Sequence, residues 1–155
     1  MTCPASFDGL MGNPDLRVWE PGEWALCETL SYLSKAGKLY QIPRAFISDL
    51  ASIPKPLRAV YDTDDEIRIP ALFHDFNYCS QLDREEADKL FLEMMEQAGV
   101  GWVKRKSVYA GVRSGGWYRY NQCKGGPKAE DFAWPMIPYQ ARSSLEARWP
   151  SVLSM

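Results

Sequence analysis

Residues 70–99 read PALFHDFNYCSQLDREEADKLFLEMMEQAG, and this stretch predicts two helices joined by a short link. Pro70 favours the first turn of a helix, where its missing amide proton is not needed, so the first helix is expected over residues 70–79. Asp83 and Glu86 have the spacing of a capping box, which predicts the start of the second helix. The short link between the helices favours an antiparallel pair.

The first helix is expected to carry its polar side chains on one face, because successive residues are about 100° apart around a helix. That face holds His74, Asp75 and Tyr78, beneath the small Ala71. On the second helix, Asp88 lies at the border of the apolar stripe, with Arg84 one turn earlier. A carboxylate and a guanidinium on an apolar face are costly unless they are paired or functional.

His74 is the only histidine in the chain, and histidine titrates near neutral pH without help. A carboxylate from a neighbouring helix can hold the tautomer of such a base by accepting its second ring proton. Asp88 is placed for this in an antiparallel pair, which predicts a catalytic set of His74, Asp88 and Tyr78. The catalytic interpretation predicts that the ring borders a hollow that solvent reaches. The alternative is a buried His74–Asp88 pair that only fixes the packing of the helices.

The N-terminal half predicts β-structure. Residues 16–19 predict an edge strand closed by Pro21-Gly22, residues 24–33 and 38–42 predict a hairpin, and residues 45–47 add a short extended piece. The loop that follows holds two polar side chains, those of Asp49 and Ser52. They either belong to a binding site or cap the turn after the loop, and both interpretations stay open. Asp75 and Asp49 together predict a site that binds a divalent cation or orients a water.

A third helix is predicted over residues 102–112, and Gly115-Gly116 is expected to end it. Prolines beside aromatic residues predict an irregular Pro/Trp-rich tail over residues 121–155, which packs on the domain of residues 1–120 or on another chain. The predicted fold is α+β, with a small antiparallel sheet packed on two or three helices and an extended C-terminal tail.

Charge and composition argue against several classes of protein. The 18 Lys and Arg residues nearly balance the 20 Asp and Glu residues, so bulk charge favours neither nucleic acid nor a membrane as partner. Residues 103–129 are basic without an acidic residue, which we interpret as a solvated surface that pairs with acidic residues; nucleic-acid binding is the disfavoured alternative. No apolar run is long enough to cross a bilayer, and the N-terminus predicts no signal peptide. Four scattered cysteines indicate reduced thiols in a cytosol.

Three motifs occur in order along the chain and together resemble a family of small, uncharacterised proteins of tailed bacteriophages and prophages, over roughly residues 24–116. The resemblance implies a phage origin and a place in the host cytoplasm or the virion. It also implies other phage proteins or host-envelope components as partners. The motifs are Ser48-Asp49-Leu50-Ala51-Ser52-Ile53-Pro54, His74-Asp75-x-x-Tyr78 and Arg84-x-x-Ala87-Asp88-x-x-Phe91.

The motif His74-Asp75-x-x-Tyr78, followed by Asp88-x-x-Phe91, is also similar to the catalytic helix pair of the phospholipases A2. This resemblance implies that His74 activates a water, Asp75 binds calcium, Asp88 orients the imidazole and Tyr78 donates a supporting hydrogen bond. The Gly-rich calcium loop and the disulfides of that family have no counterpart here. Asp49 or the acidic residues 62–66 are therefore expected to supply the remaining calcium ligands.

Two functions are predicted. The first is a phage-encoded hydrolase of esterase or phospholipase type, acting on a lipid or another cell-envelope component, with Ser52 and Arg84 as binding residues. The alternative is a phage structural protein of the tail or virion, or a host-factor-binding protein, without catalytic activity. In that role the Pro/Trp-rich tail would dock on a partner or form a homo-oligomer.

Overall fold

The computed structural model describes residues 6–50 and 65–153 of the chain. Within these ranges, two small antiparallel sheets form in the N-terminal half and helices follow, so the predicted α+β class is confirmed. The first sheet has the order β1-β4-β5, with β1 at Leu10–Met11, β4 at Leu30–Leu33 and β5 at Leu39–Ile42. The second has the order β2-β3-β6, with β2 at Leu16–Glu20, β3 at Glu23–Leu26 and β6 at Ile47–Ser48.

The predicted hairpin and edge strand are both confirmed. Strands β4 and β5 pair with Leu30 opposite Ile42 and Leu33 opposite Leu39, and β2 lies at an edge of its sheet. The prediction differs at residues 24–33, which form two strands in different sheets rather than one. The chain leaves the second sheet at Cys27, whose amide donates to the Asp15 carbonyl at 2.9 Å.

Four α-helices lie in the described ranges: α1 at Asp65–Cys79, α2 at Arg84–Gln97, α3 at Trp102–Gln122 and α4 at Tyr139–Arg148. Asp83 caps α2 as predicted, accepting from the Glu86 amide at 3.0 Å. The predicted start of α1 at Pro70 is wrong, because Pro70 lies inside the helix. Pro70 is buried there, so tertiary packing outweighs the amide hydrogen bond that a proline removes.

Helix α3 continues through Gly115-Gly116 to Gln122, so the predicted end at these glycines is also wrong. Gly116 has a packing role instead. A Cβ built at this position would lie 2.5 Å from the Tyr78 hydroxyl oxygen, whereas at Gly115 it would meet nothing within 4 Å. Only glycine lets α3 approach Tyr78 this closely.

Helix α1 contributes to two hydrophobic cores. One face packs with the sheets and with the C-terminal segment, through Leu72, Phe73, Phe76 and Cys79. The opposite face packs Ile67 and Ala71 against α2 and α3, whose contributing residues are Phe91, Met95, Val108 and Val112. Because early residues of α1 meet late residues of α2, the two helices are antiparallel, as their short link predicts.

The C-terminal segment completes the main core. The sequence predicts an irregular tail, but the structure places α4 and three 3₁₀ turns there, at Ala129–Asp131, Trp134–Met136 and Pro150–Leu153. Phe132 forms an isolated antiparallel bridge with Phe46, and the Trp149 ring stacks on Phe132 at a centroid distance of 6.4 Å. Of the two predicted placements, packing on the domain is therefore the observed one. None of the helices described here combines the length and apolar character needed to cross a bilayer.

Candidate functional site: a buried histidine–aspartate network

Asp88 is the centre of the candidate site and is 0% exposed. Its Oδ1 atom accepts a hydrogen bond from His74 Nε2 at 2.8 Å and another from the Tyr78 hydroxyl at 2.6 Å. Its Oδ2 atom accepts from Arg113 Nη1 at 2.7 Å and lies 3.8 Å from Arg84 Nε. One carboxylate thus joins side chains from α1, α2 and α3.

The network keeps Asp88 ionised. Burial raises the pKa of this carboxyl, but hydrogen bonds from His74, Tyr78 and Arg113 outweigh burial and hold the pKa below its usual value. An ionised carboxylate accepts but does not donate, so His74 Nε2 carries the proton and donates it. In the neutral ring Nδ1 then keeps a free lone pair, which is the state that a general base requires.

The lowered pKa of Asp88 predicts acid sensitivity. Because this carboxyl binds a proton less readily in the folded state, its contribution to stability is present above the unfolded-state pKa of about 4 and is lost as pH falls toward the lower folded pKa. We expect the unfolding free energy to fall more between pH 6 and pH 3 in the wild type than in Asp88→Asn. Urea titrations of both proteins measure the difference, in which other carboxylates cancel. Equal losses in the two proteins would contradict the assignment.

His74 itself is buried. Its ring is 2% exposed, stacks on Phe91 at a centroid distance of 4.7 Å and tilts against Tyr78 at 4.1 Å. The Nδ1 atom is buried without a hydrogen-bond partner in the described ranges. The ring therefore does not border an open hollow in this conformation, so the predicted position at a hollow that solvent reaches is wrong. Its Nδ1 atom lies in the interior of the helical half of the protein.

Asp75 and Asp49 are not part of the network around Asp88. Asp75 is buried, and its Oδ2 atom accepts a hydrogen bond from the Ser48 hydroxyl of β6, whereas Asp49 is exposed. Arg119 lies close to both carboxylates: burial lowers the pKa of its guanidinium, but Asp75 and then Asp49 raise it above its usual value.

The described residues around Asp75 and Asp49 do not form a donor set for a cation. Within residues 6–50 and 65–153, no group of three or more His, Cys, Asp or Glu side chains is arranged to hold a metal ion. A guanidinium beside the two carboxylates already offsets part of their charge. Calcium binding by Asp75 and Asp49 stays a prediction, and no reaction step below passes through an ion.

The two predicted binding residues have different outcomes. Arg84 donates to the backbone carbonyls of Val112 and Arg113, the former at 3.1 Å, so it fastens α2 to α3 beside Asp88. Its role is therefore to support the network. Ser52 lies outside the described residues.

Sequence reasoning missed Arg113 and Gly116. Arg113 belongs to the basic stretch of residues 103–129, which we interpreted as a solvated surface that pairs with acidic residues. Arg105 of the same stretch does pair with Glu96, at 3.1 Å. A buried carboxylate needs a cation, and this requirement is the signal that points to an arginine on a third helix. Both residues were missed because the predicted third helix ended at residue 112, before Arg113 and before the contact of Gly116 with Tyr78.

The fold and the site define an α+β protein in which three helices share a buried histidine–aspartate pair. The chain belongs to the family described as protein of unknown function DUF1353, whose model matches residues 24–112, more than half of the chain. The matched range contains His74, Tyr78 and Asp88 and ends one residue before Arg113. Comparisons with curated proteins and with solved structures gave no match.

Proposed function

We propose that this protein is a hydrolase in which His74 is the general base and Asp88 orients it. The observation that carries the proposal is the 2.8 Å bond from His74 Nε2 to Asp88, with the opposite nitrogen left without a partner in the described ranges. This arrangement defines which nitrogen holds the proton and which one accepts a proton from water.

The chemistry follows from the charges. His74 Nδ1 removes a proton from a water molecule as the water oxygen attacks an acyl carbonyl, and the ring becomes an imidazolium. The Asp88 carboxylate stabilises that cation through Nε2, while Tyr78 and Arg113 hold the carboxylate in place. The bond between the acyl carbon and the alcohol oxygen then breaks, and the same proton passes from Nδ1 to that leaving oxygen, which releases an acid and an alcohol.

A purely structural histidine explains the unpartnered nitrogen less well. A buried acceptor without a partner costs about 1–3 kcal/mol, which a packing role gives no reason to retain. A functional role is one reason for such a group, because a substrate or water then completes the bonding. Since the ring is covered, the reaction requires an opening motion before the substrate meets Nδ1.

The similarity to the phospholipases A2 supports an ester of a lipid or another cell-envelope component as the substrate. In both cases a histidine and a tyrosine one turn later on one helix contact an aspartate of the next helix. The motif resemblance to phage proteins supports a phage-encoded enzyme that acts in the host cytoplasm or from the virion, with envelope components as partners.

The test measures fatty-acid release from vesicles of phosphatidylcholine and phosphatidylglycerol, and nitrophenol release from p-nitrophenyl butyrate. The wild type should hydrolyse at least one of them, and His74→Asn should lower the rate by about 10²–10⁴-fold. Asp83→Asn is a matched control, because this exposed N-cap accepts asparagine. Parallel assays with calcium and with a chelator test the cation prediction. A wild type inactive on both substrates, or an unchanged rate in His74→Asn, would overturn the proposal.

One observation favours the non-catalytic alternative: the His74 ring is 2% exposed within a network that ties three helices together. In a phage structural or host-factor-binding protein, the same side chains would serve only to hold that packing. His74→Asn would then lower the unfolding free energy while the wild type shows no turnover. Homo-oligomerisation through the C-terminal segment stays a prediction of this alternative.

A further inference from the structure

Two thiols meet where α1 and α3 end. Cys79 is the last residue of α1 and is 5% exposed, while Cys123 is the C-cap of α3 and is partly exposed. The two helix ends are in contact, because Gln81 Nε2 donates to the Tyr120 carbonyl at 3.1 Å and the Tyr78 and Tyr120 rings lie 5.2 Å apart. The Cys79 sulfur is 3.4 Å from Asp131 Oδ2. Both cysteines are free, and the fold brings them together from distant parts of the chain.

The charges around this pair make the two thiols unequal. The hydrogen bond from Cys79 lowers the pKa of Cys123 to about 7, with help from Arg119 one turn earlier and against burial, Asp131 and Asp75. The same hydrogen bond, together with burial, raises the pKa of Cys79. At neutral pH a substantial fraction of the more exposed cysteine is therefore thiolate, whereas the buried cysteine is a thiol.

We propose that Cys79 and Cys123 form a redox-active pair, which a hydroperoxide converts into an intramolecular disulfide. The Cys123 thiolate attacks the peroxide, the O–O bond breaks, and Cys123 becomes a sulfenic acid while an alkoxide or hydroxide leaves and takes up a proton. Asp131 accepts the proton of Cys79 as its sulfur attacks the sulfenic sulfur. The S–O bond breaks, and the departing hydroxide takes that proton to become water. The two cysteines together lose two electrons, which reduce the peroxide.

The location gives this reaction a consequence for the rest of the protein. Cys79 follows Tyr78 directly, and α3 carries Arg113 and Gly116. A disulfide would join the ends of the two helices that contact Asp88 from either side. Oxidation is therefore expected to restrain any motion that uncovers His74, although the redox pair itself does not rest on the proposed hydrolysis.

The first measurement uses the unaltered protein and hydrogen peroxide. After oxidation, blocking with iodoacetamide and digestion with trypsin, mass spectrometry should find peptides 69–84 and 120–124 joined by a disulfide that dithiothreitol cleaves. Before oxidation, alkylation of Cys123 should have a midpoint near pH 7, with Cys27 as the internal reference for reagent effects. Cys27→Ser is the matched control variant and should form the same linked peptides.

Three results would overturn the proposal. The first is a Cys123 alkylation midpoint at the ordinary thiol value of about 8.5. The second is oxidation of Cys123 that stops at sulfenic or sulfinic acid without a link to Cys79. The third is that peroxide produces only disulfides between different molecules. Cys79→Ala provides a further arm, since removing the hydrogen-bond donor at this position should raise the alkylation midpoint of Cys123. Because the main readouts use the wild type, they stand even where that variant folds poorly.

Discussion

Replacing Asp88 with asparagine should lower the free energy of unfolding by about 3–5 kcal/mol, the usual cost of removing one partner from a buried ion pair. Asparagine keeps the size of the side chain but loses the charge that Arg113 and Arg84 face at 2.7 and 3.8 Å. The amide NH₂ of asparagine is also a donor, so on one side of the network it would face another donor without an acceptor between them. Urea unfolding at pH 7 measures the loss.

Asp83→Asn provides the control for this substitution. The residue lies on the same loop-to-helix segment, is exposed, and functions as an N-cap, a role that asparagine fills about as well as aspartate. Its unfolding free energy should stay close to that of the wild type. Similar small losses in both variants would show that the charge of Asp88 has little part in holding the three helices together.

Gly116→Ala should destabilise the protein by about 1–3 kcal/mol, the usual cost of overpacking a filled interior. The new methyl group would lie 2.5 Å from the Tyr78 hydroxyl oxygen and 3.4 Å from two ring carbons. Tyr78 is 2% exposed, and its hydroxyl is bonded to Asp88, so the ring cannot swing aside without breaking that bond.

Gly115→Ala is the matched control, because it makes the same change one residue earlier on α3 where nothing lies within 4 Å. There the better helix propensity of alanine should stabilise the protein by up to about 1 kcal/mol. Opposite signs at adjacent glycines would be hard to obtain from propensity alone. A double-mutant cycle with Tyr78→Phe then shows whether the cost at Gly116 arises at the hydroxyl. Stabilisation by both alanines would contradict the close packing.

The elements that sequence predicted well are those specified by local pattern. Alternating residues and a short turn define the β4–β5 hairpin, and the Asp83 cap with the apolar stripe behind it defines α2. Pro70 and Gly115-Gly116 misled the prediction because their usual local meaning was overridden by packing. At Gly116 the deciding contact comes from Tyr78 of another helix, which no local pattern records, and Pro70 is buried.

The same division applies to the candidate site. His74 and Tyr78 are one helical turn apart, and a short link returns α2 across them, so the meeting with Asp88 could be anticipated. Arg113 could not, because its contact depends on where a third helix crosses the pair. The pairing of Asp75 with Ser48 likewise depends on how the second sheet lies against α1.

Helix α1 separates two hydrophobic interiors and lends a face to each. Unfolding of the sheets would expose Phe73 and Phe76 to solvent, and detachment of α2 and α3 would expose Ile67 and Ala71. Because both cores share α1, loss of one core exposes apolar residues of the helix on which the other core depends. We therefore expect unfolding to be a single cooperative transition, and amide protons of this helix to be the last to exchange with solvent.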